Sequence, residues 1–176
     1  MKKLTVSVFI SLATLTGMNA QTYKWWAGGR TTLWTGETLW TGDKKNTFIV
    51  APEVGYLLSP KLTIAASVAF HSVVNQNSRN FNGLVLNPYM RYIAFKQGIL
   101  LGFIDGGIDV GLGDYEGFQF GFKPGVAILL TERFTVATQF GFLGYSDGKG
   151  GTGFREQGFG FDLSGYCSTI AFFVSF

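Results

Sequence analysis

The chain has 176 residues, a length that suits one domain, and carries 14 Lys and Arg against 11 Asp and Glu for a net charge of +3. Without Lys2 and Lys3, which sit in a leader-like stretch, the balance is 12 against 11, so charge is no argument for nucleic acid as a partner. Cys167 is alone, which excludes an internal disulfide, and without a Cys/His cluster the sequence points to no metal and no cofactor.

In chain order, residues 1–20 come first: a basic head, the apolar run LTVSVFISLA, and a small residue, Ala20, before Gln21. This reads as a secretory signal peptide cleaved after Ala20, because the apolar run is shorter than the roughly 20 residues a membrane helix needs. Residues 21–176 then form the mature domain.

Three segments of that domain align on their prolines: PEVGYLLSPKLTI from Pro52, PYMRYIAFKQGIL from Pro88 and PGVAILLTERFTV from Pro124, each 36 residues from the next. Each reads as a strand, a tight polar turn and a returning strand, so the repeated unit is a hairpin. The turns fall at Ser59-Pro60-Lys61, Lys96-Gln97-Gly98 and Thr131-Glu132-Arg133. Longer polar stretches begin at Thr35, Asn75, Gly113 and Ser146, and short and long connections alternate throughout. The pattern predicts eight strands, over 23–35, 46–58, 61–74, 82–96, 98–112, 117–130, 133–145 and 158–176.

Alternation along these strands separates two faces. Even positions carry an apolar face, as in Phe48, Val50, Val54, Tyr56 and Leu58, or Phe118, Phe120 and Phe122. The other face holds Glu53, Thr63, Ser67, His71, Arg91, Asp105, Asp109, Gln119, Lys123 and Gln139, joined by Arg30 and Asp162. Strands of this length exceed the five or six residues typical of a soluble sandwich and match the roughly 9 to 11 tilted residues that cross a bilayer. Aromatics stand near strand ends on the apolar face: Trp25, Tyr56, Tyr92, Phe134 and Phe172 toward the short turns, Phe70, Phe118 and Phe142 toward the long loops. Such girdles mark membrane interfaces. The reading is all-β: an eight-stranded antiparallel up-and-down transmembrane β-barrel, in which closure removes the edge that a strand as apolar as STIAFFVSF would otherwise expose. The outward residues Phe159, Phe161 and Leu163 have the opposite parity to Ile170, Phe172, Val174 and Phe176, which calls for a bulge near Gly165.

With its signal peptide, the segments PEVGYLLS, PYMRY and PGVAILLTERF, and its terminal aromatic behind alternating apolar residues, the mature chain resembles the small OmpA-type outer-membrane barrels of Bacteroidetes and other Gram-negative bacteria. The resemblance implies a multi-pass protein of the cell outer membrane. It also implies that Ile170, Phe172, Val174 and Phe176 act as an assembly signal for the outer-membrane insertion machinery. Membrane lipids, lipopolysaccharide and periplasmic chaperones are its implied partners, with an extracellular ligand at the long loops.

Enzymatic signals are weak. His71 and Ser72 are adjacent on one strand, so they face opposite sides and cannot form a nucleophile–base pair. GYSDGKGGTG lacks the order of a phosphate-binding loop. Trp25-Trp26 and Trp34 suit interface anchoring better than a sugar platform. Two functions remain: a structural or surface-interaction barrel that recognises partners through its long loops, and a small-solute pore. Eight strands enclose a lumen that side chains can fill, which favours the first. Charges in so narrow a lumen must pair, and Glu53 is the first expected partner of Arg91.

Overall fold

The computed structural model describes residues 23–37, 44–75, 80–148, 157–163 and 169–176. The expected signal peptide, Cys167 and Gly165 lie outside these residues, as do parts of the long connections after Glu37, Asn75 and Gly148.

Ten strand segments follow one another: β1 (Trp25–Glu37), β2 (Lys44–Ser59), β3 (Leu62–Asn75), β4 (Phe81–Gln97), β5 (Leu100–Gly113), β6 (Gly117–Leu129), β7 (Phe134–Gln139), β8 (Phe142–Gly148), β9 (Gly158–Asp162) and β10 (Thr169–Ser175). β7 and β8 are two halves of a seventh stave, both lying on β6. β9 and β10 are the halves of the eighth, pairing with β8 and β7 respectively. All pairings are antiparallel between chain neighbours, and β10 returns to β1 from Trp26↔Ser175 to Gly29↔Phe172. The result is the expected closed, eight-stranded, up-and-down barrel.

The short turns fall where the sequence placed them, with Gly98 in the left-handed conformation (φ 58°) that its turn requires. The stretch from Gly113, expected as a longer loop, is instead a tight turn of three residues. Asn82 N–H donates to Asp114 Oδ2 (2.9 Å), and Asp114 N–H donates back to the Asn82 carbonyl (3.1 Å). These bonds fold Tyr115 inward until its ring lies 4.5 Å from that of His71.

The 36-residue repeat has a structural consequence. A proline in a strand has no N–H for the ladder. Pairing of β2 with β3 skips from Val50↔Phe70 to Glu53↔Ser67 around Pro52, and pairing of β4 with β5 skips from Leu86↔Val110 to Tyr89↔Gly107 around Pro88. At the second gap the carbonyl of Ile108, across from Pro88, accepts from Asn87 Nδ2 instead (3.2 Å). At Pro124 the neighbouring stave breaks. Phe122↔Leu143 and Gly125↔Gln139 bracket two residues on β6 and three on its partner, a one-residue bulge at Phe140–Gly141.

That bulge reverses the parity of β8 and of its partner β9. Phe142, expected in the outer girdle, points inward and is 4% exposed, while Leu143 faces out. The eighth stave compensates. Phe159, Phe161 and Leu163 face out in its first half and Ile170 and Phe172 in its second, so the outward positions are odd-numbered on one half and even-numbered on the other. Trp26 is a further correction: its indole is inside, 4.6 Å from the Phe173 ring, in space left by Gly55, whose Cβ would approach the indole to 2.2 Å.

Candidate functional site: the barrel interior

This barrel is turned inside out relative to a soluble core. Its outer surface carries Val54, Ile64, Phe70, Met90, Ile104, Ile108, Phe120, Phe122 and Ile128, whereas Glu53, Thr63, Ser67, Asp105, Asp109 and Ser146 are buried. Buried polar groups and exposed large apolar ones are the informative departures from ordinary burial.

From the short-turn end, the first interior layer is apolar. Phe103, Ala127, Ala137, Ala171 and Phe173 pack together, with Trp26, Ile93 and Leu101 against them. Arg91 lies on this layer, its guanidinium 4.1 Å from the Phe103 ring centroid and within 5.6 Å of those of Trp26, Tyr89 and Phe173. A delocalised cation stacks well on aromatic faces, so the layer receives the charge without water.

The other side of Arg91 is polar. Its Nε donates to Asp105 Oδ1 (2.7 Å) and its Nη2 to Asp105 Oδ2 (2.8 Å), a bidentate pair between cross-strand neighbours. Gln139 Nε2 adds a third bond to Asp105 Oδ2 (2.6 Å). Lys123 is also beside Asp105 in the ladder, yet with that carboxylate already occupied its Nζ reaches Asp109 Oδ2 instead (2.6 Å). Asn87 and Gln119 donate to Asp109 as well.

Glu53 is not the direct partner that the sequence suggested for Arg91. The Tyr89 hydroxyl donates to Glu53, and Arg91 Nη2 donates to the same hydroxyl at 3.4 Å, so the link runs through Tyr89. Asp105 wins because it faces Arg91 in the ladder, whereas Glu53 lies two strands away, on β2. Arg30 lines a void shared with Glu53, Arg91 and Phe173 whose volume is about 10 Å³, room for one water at most. Asp162 is on the inner face of β9, across from Phe142. Sequence parity would have found Tyr89 and Asn87, both at odd positions of β4, but their uncharged side chains gave no reason to single them out.

Ser72 Oγ donates to Asn82 Oδ1 (2.8 Å) while the His71 ring packs on Tyr115 at the lumen's loop end, so these neighbours form no nucleophile–base pair. Among the described residues no cluster of His, Cys, Asp and Glu is arranged to hold a metal ion. Outside, Trp25 and Tyr56 bring their rings within 4.8 Å and Phe134 and Phe172 within 6.3 Å near the short turns. Tyr92, Ile170, Phe172 and Phe176 are exposed, and Val174 is half-buried.

Fold and interior together define a closed β-barrel whose lumen holds two ion pairs, Arg91–Asp105 and Lys123–Asp109. No protein-family model matches the chain, and no curated protein matches its sequence.

Proposed function

We propose that the protein is a non-enzymatic barrel of the bacterial outer membrane, shut to ordinary solutes, that serves as a structural or surface-interaction element through its long loops. The observation that carries this reading is the inversion of burial: apolar side chains ring the outside, and inside Arg91 pairs with Asp105 and Lys123 with Asp109. From Leu100 to Leu112 the outward apolar positions of β5 extend about 40 Å along the strand, or about 30 Å in height at a tilt of about 40°. A hydrocarbon core is about 30 Å thick. In water the same surface would drive aggregation.

The signal-peptide reading of residues 1–20 and the resemblance to OmpA-type barrels support the location. Lipids and lipopolysaccharide then contact the apolar band, and chaperones and the insertion machinery handle the unfolded chain, with Ile170, Phe172, Val174 and Phe176 as its assembly signal. The lumen supports closure: Arg91 pairs with Asp105 and Lys123 with Asp109, and an apolar layer lies behind Arg91.

Planar-bilayer recording from refolded protein tests the reading. The expected record has no steady conductance; large, stable, voltage-independent channels would establish the pore instead. On a denaturing gel, unheated and boiled samples are expected to migrate differently, and identical mobility would count against a stable membrane barrel.

A further inference from the structure

The short-turn end of the barrel repeats one arrangement between β1 and β4. Lys24 and Lys61 each precede a strand that leads away from this end, and the main chain fixes both at the last rung of the ladder. The Lys24 carbonyl accepts from Leu57 N–H (2.7 Å) and the Lys61 carbonyl from Ile93 N–H (2.8 Å). One rung further in, on the outer face, Trp25 stands opposite Tyr56 with rings 4.8 Å apart, and Leu62 stands opposite Tyr92. Lys96, opposite Leu101, completes this edge on β4.

The edge presents donors and no side-chain acid. Lys24, Lys61 and Lys96 are exposed, and among the described residues none of them is in an ion pair and neither the Tyr56 nor the Tyr92 hydroxyl makes a hydrogen bond. Segments 56–62 and 92–99 contain no Asp or Glu. Phe176 bonds the main chain of Trp25 on the other side of β1, and no ion pair joins its carboxylate to Lys24. At β7 the matching position is Arg133, but its Nε already donates to the Tyr23 hydroxyl (2.5 Å), and Glu132 precedes it.

Height along the strand sorts these groups by solvent. Tyr and Trp rings settle at the boundary between acyl chains and headgroups. A lysine one residue beyond them, about 3.3 Å along the strand, lays its stem on the apolar surface and holds its ammonium in the water outside, at the level of lipid phosphates. A zwitterionic headgroup brings a cation of its own to that level, whereas an anionic one brings net negative charge, and each lysine near such a surface adds attraction.

We infer that the rim from β1 to β4 is a binding surface for anionic phospholipid headgroups, with Lys24, Lys61 and Lys96 against the phosphates and Tyr56 and Tyr92 donating just inside them. The inference rests on the membrane reading above and adds a lipid class to it.

Spin-labelled phosphatidylglycerol and phosphatidylcholine are the probes, each at trace level in phosphatidylcholine vesicles that hold the refolded full barrel. Electron spin resonance reads the share of each label immobilised at the protein. Phosphatidylglycerol is expected to associate about twofold or more over phosphatidylcholine at low salt. The preference should vanish at about 1 M salt, where screening shortens to about 3 Å. Lys24→Gln, Lys61→Gln and Lys96→Gln combined should abolish it, and the three arginine replacements should retain it. Should the glutamine variant fail to refold, the salt dependence of the wild type decides the same point. Equal association of the two labels with inserted wild-type barrel, or a preference that survives both salt and the glutamine variant, would overturn the rim alone. A wild-type barrel that does not enter vesicles would overturn the rim together with the membrane reading.

Discussion

Arg91 and Asp105 face each other across β4 and β5, joined by hydrogen bonds of 2.7 and 2.8 Å, with the carboxylate only 2% exposed. Removing one partner of a buried ion pair leaves the other charge without compensation. Arg91→Ala is therefore expected to destabilise the barrel by about 3 to 5 kcal/mol. Arg91→Lys should recover part of this, since an ammonium keeps the charge but loses the fork and the stacking on Phe103. Denaturant unfolding in lipid vesicles, followed by tryptophan fluorescence, measures both; an Arg91→Ala barrel as stable as wild type would remove the pair from the account.

Lys123→Met should cost less. Asp109 keeps two amide donors, from Asn87 and Gln119, when the ammonium is gone. The expected loss is about 1 to 3 kcal/mol, the range for weakening a buried charged hydrogen bond without removing every partner. A larger loss than that of Arg91→Ala in the same unfolding assay would reverse the ranking of the two pairs.

At the short-turn end, Gly55→Ala tests the seat of Trp26. The added carbon would come within 2.2 Å of the indole, whereas at Gly106 it would stand 3.1 Å from the Phe122 ring. Overpacking of this kind costs typically about 1 to 3 kcal/mol, so Gly55→Ala should lower the unfolding midpoint clearly and Gly106→Ala much less. Equal midpoints for the two variants would show that the indole can move aside.

Tyr115 supplies a pH dependence outside the spanning strands. Burial, and then the negative charge of Asp114, push its phenol above the ordinary value near 10. The folded barrel therefore holds this proton more tightly than the unfolded chain. Its contribution to stability is complete below pH 10 and declines as pH rises through the higher folded value. Tyr115→Phe should flatten that decline. Parallel stability curves for wild type and variant above pH 10 would contradict it.

Deleting Phe176 should reduce membrane insertion in cells far more than deleting Gly150, if the terminal residues serve as an assembly signal. Fractionation of the two variants gives the comparison, and equal amounts of inserted protein would leave Phe176 no special role.

The sequence by itself determined the architecture, because side-chain alternation has a period of two and connection lengths are local properties of the chain. Parity alone placed Glu53, Arg91, Asp105, Asp109, Gln139 and Lys123 on one face, and the 36-residue spacing of Pro52, Pro88 and Pro124 marked the hairpins. Parity also required a reversal between Leu163 and Ile170. It could not find the earlier reversal at Phe140–Gly141, where Pro124 on the neighbouring strand sits beside the bulge; the two segments meet only through register, so Phe142 seemed to belong outside. Nor could it choose partners. Alternation says which side of the wall a residue occupies and nothing of its height or its neighbours, and so Glu53 stood as first choice for Arg91 until the ladder set Asp105 directly opposite. The tertiary structure also decided which space is filled. Gly55 admits an indole, whereas a Cβ on Gly160, the same residue type, would meet nothing within 4 Å, because the room a missing side chain opens depends on what the facing strands bring to it.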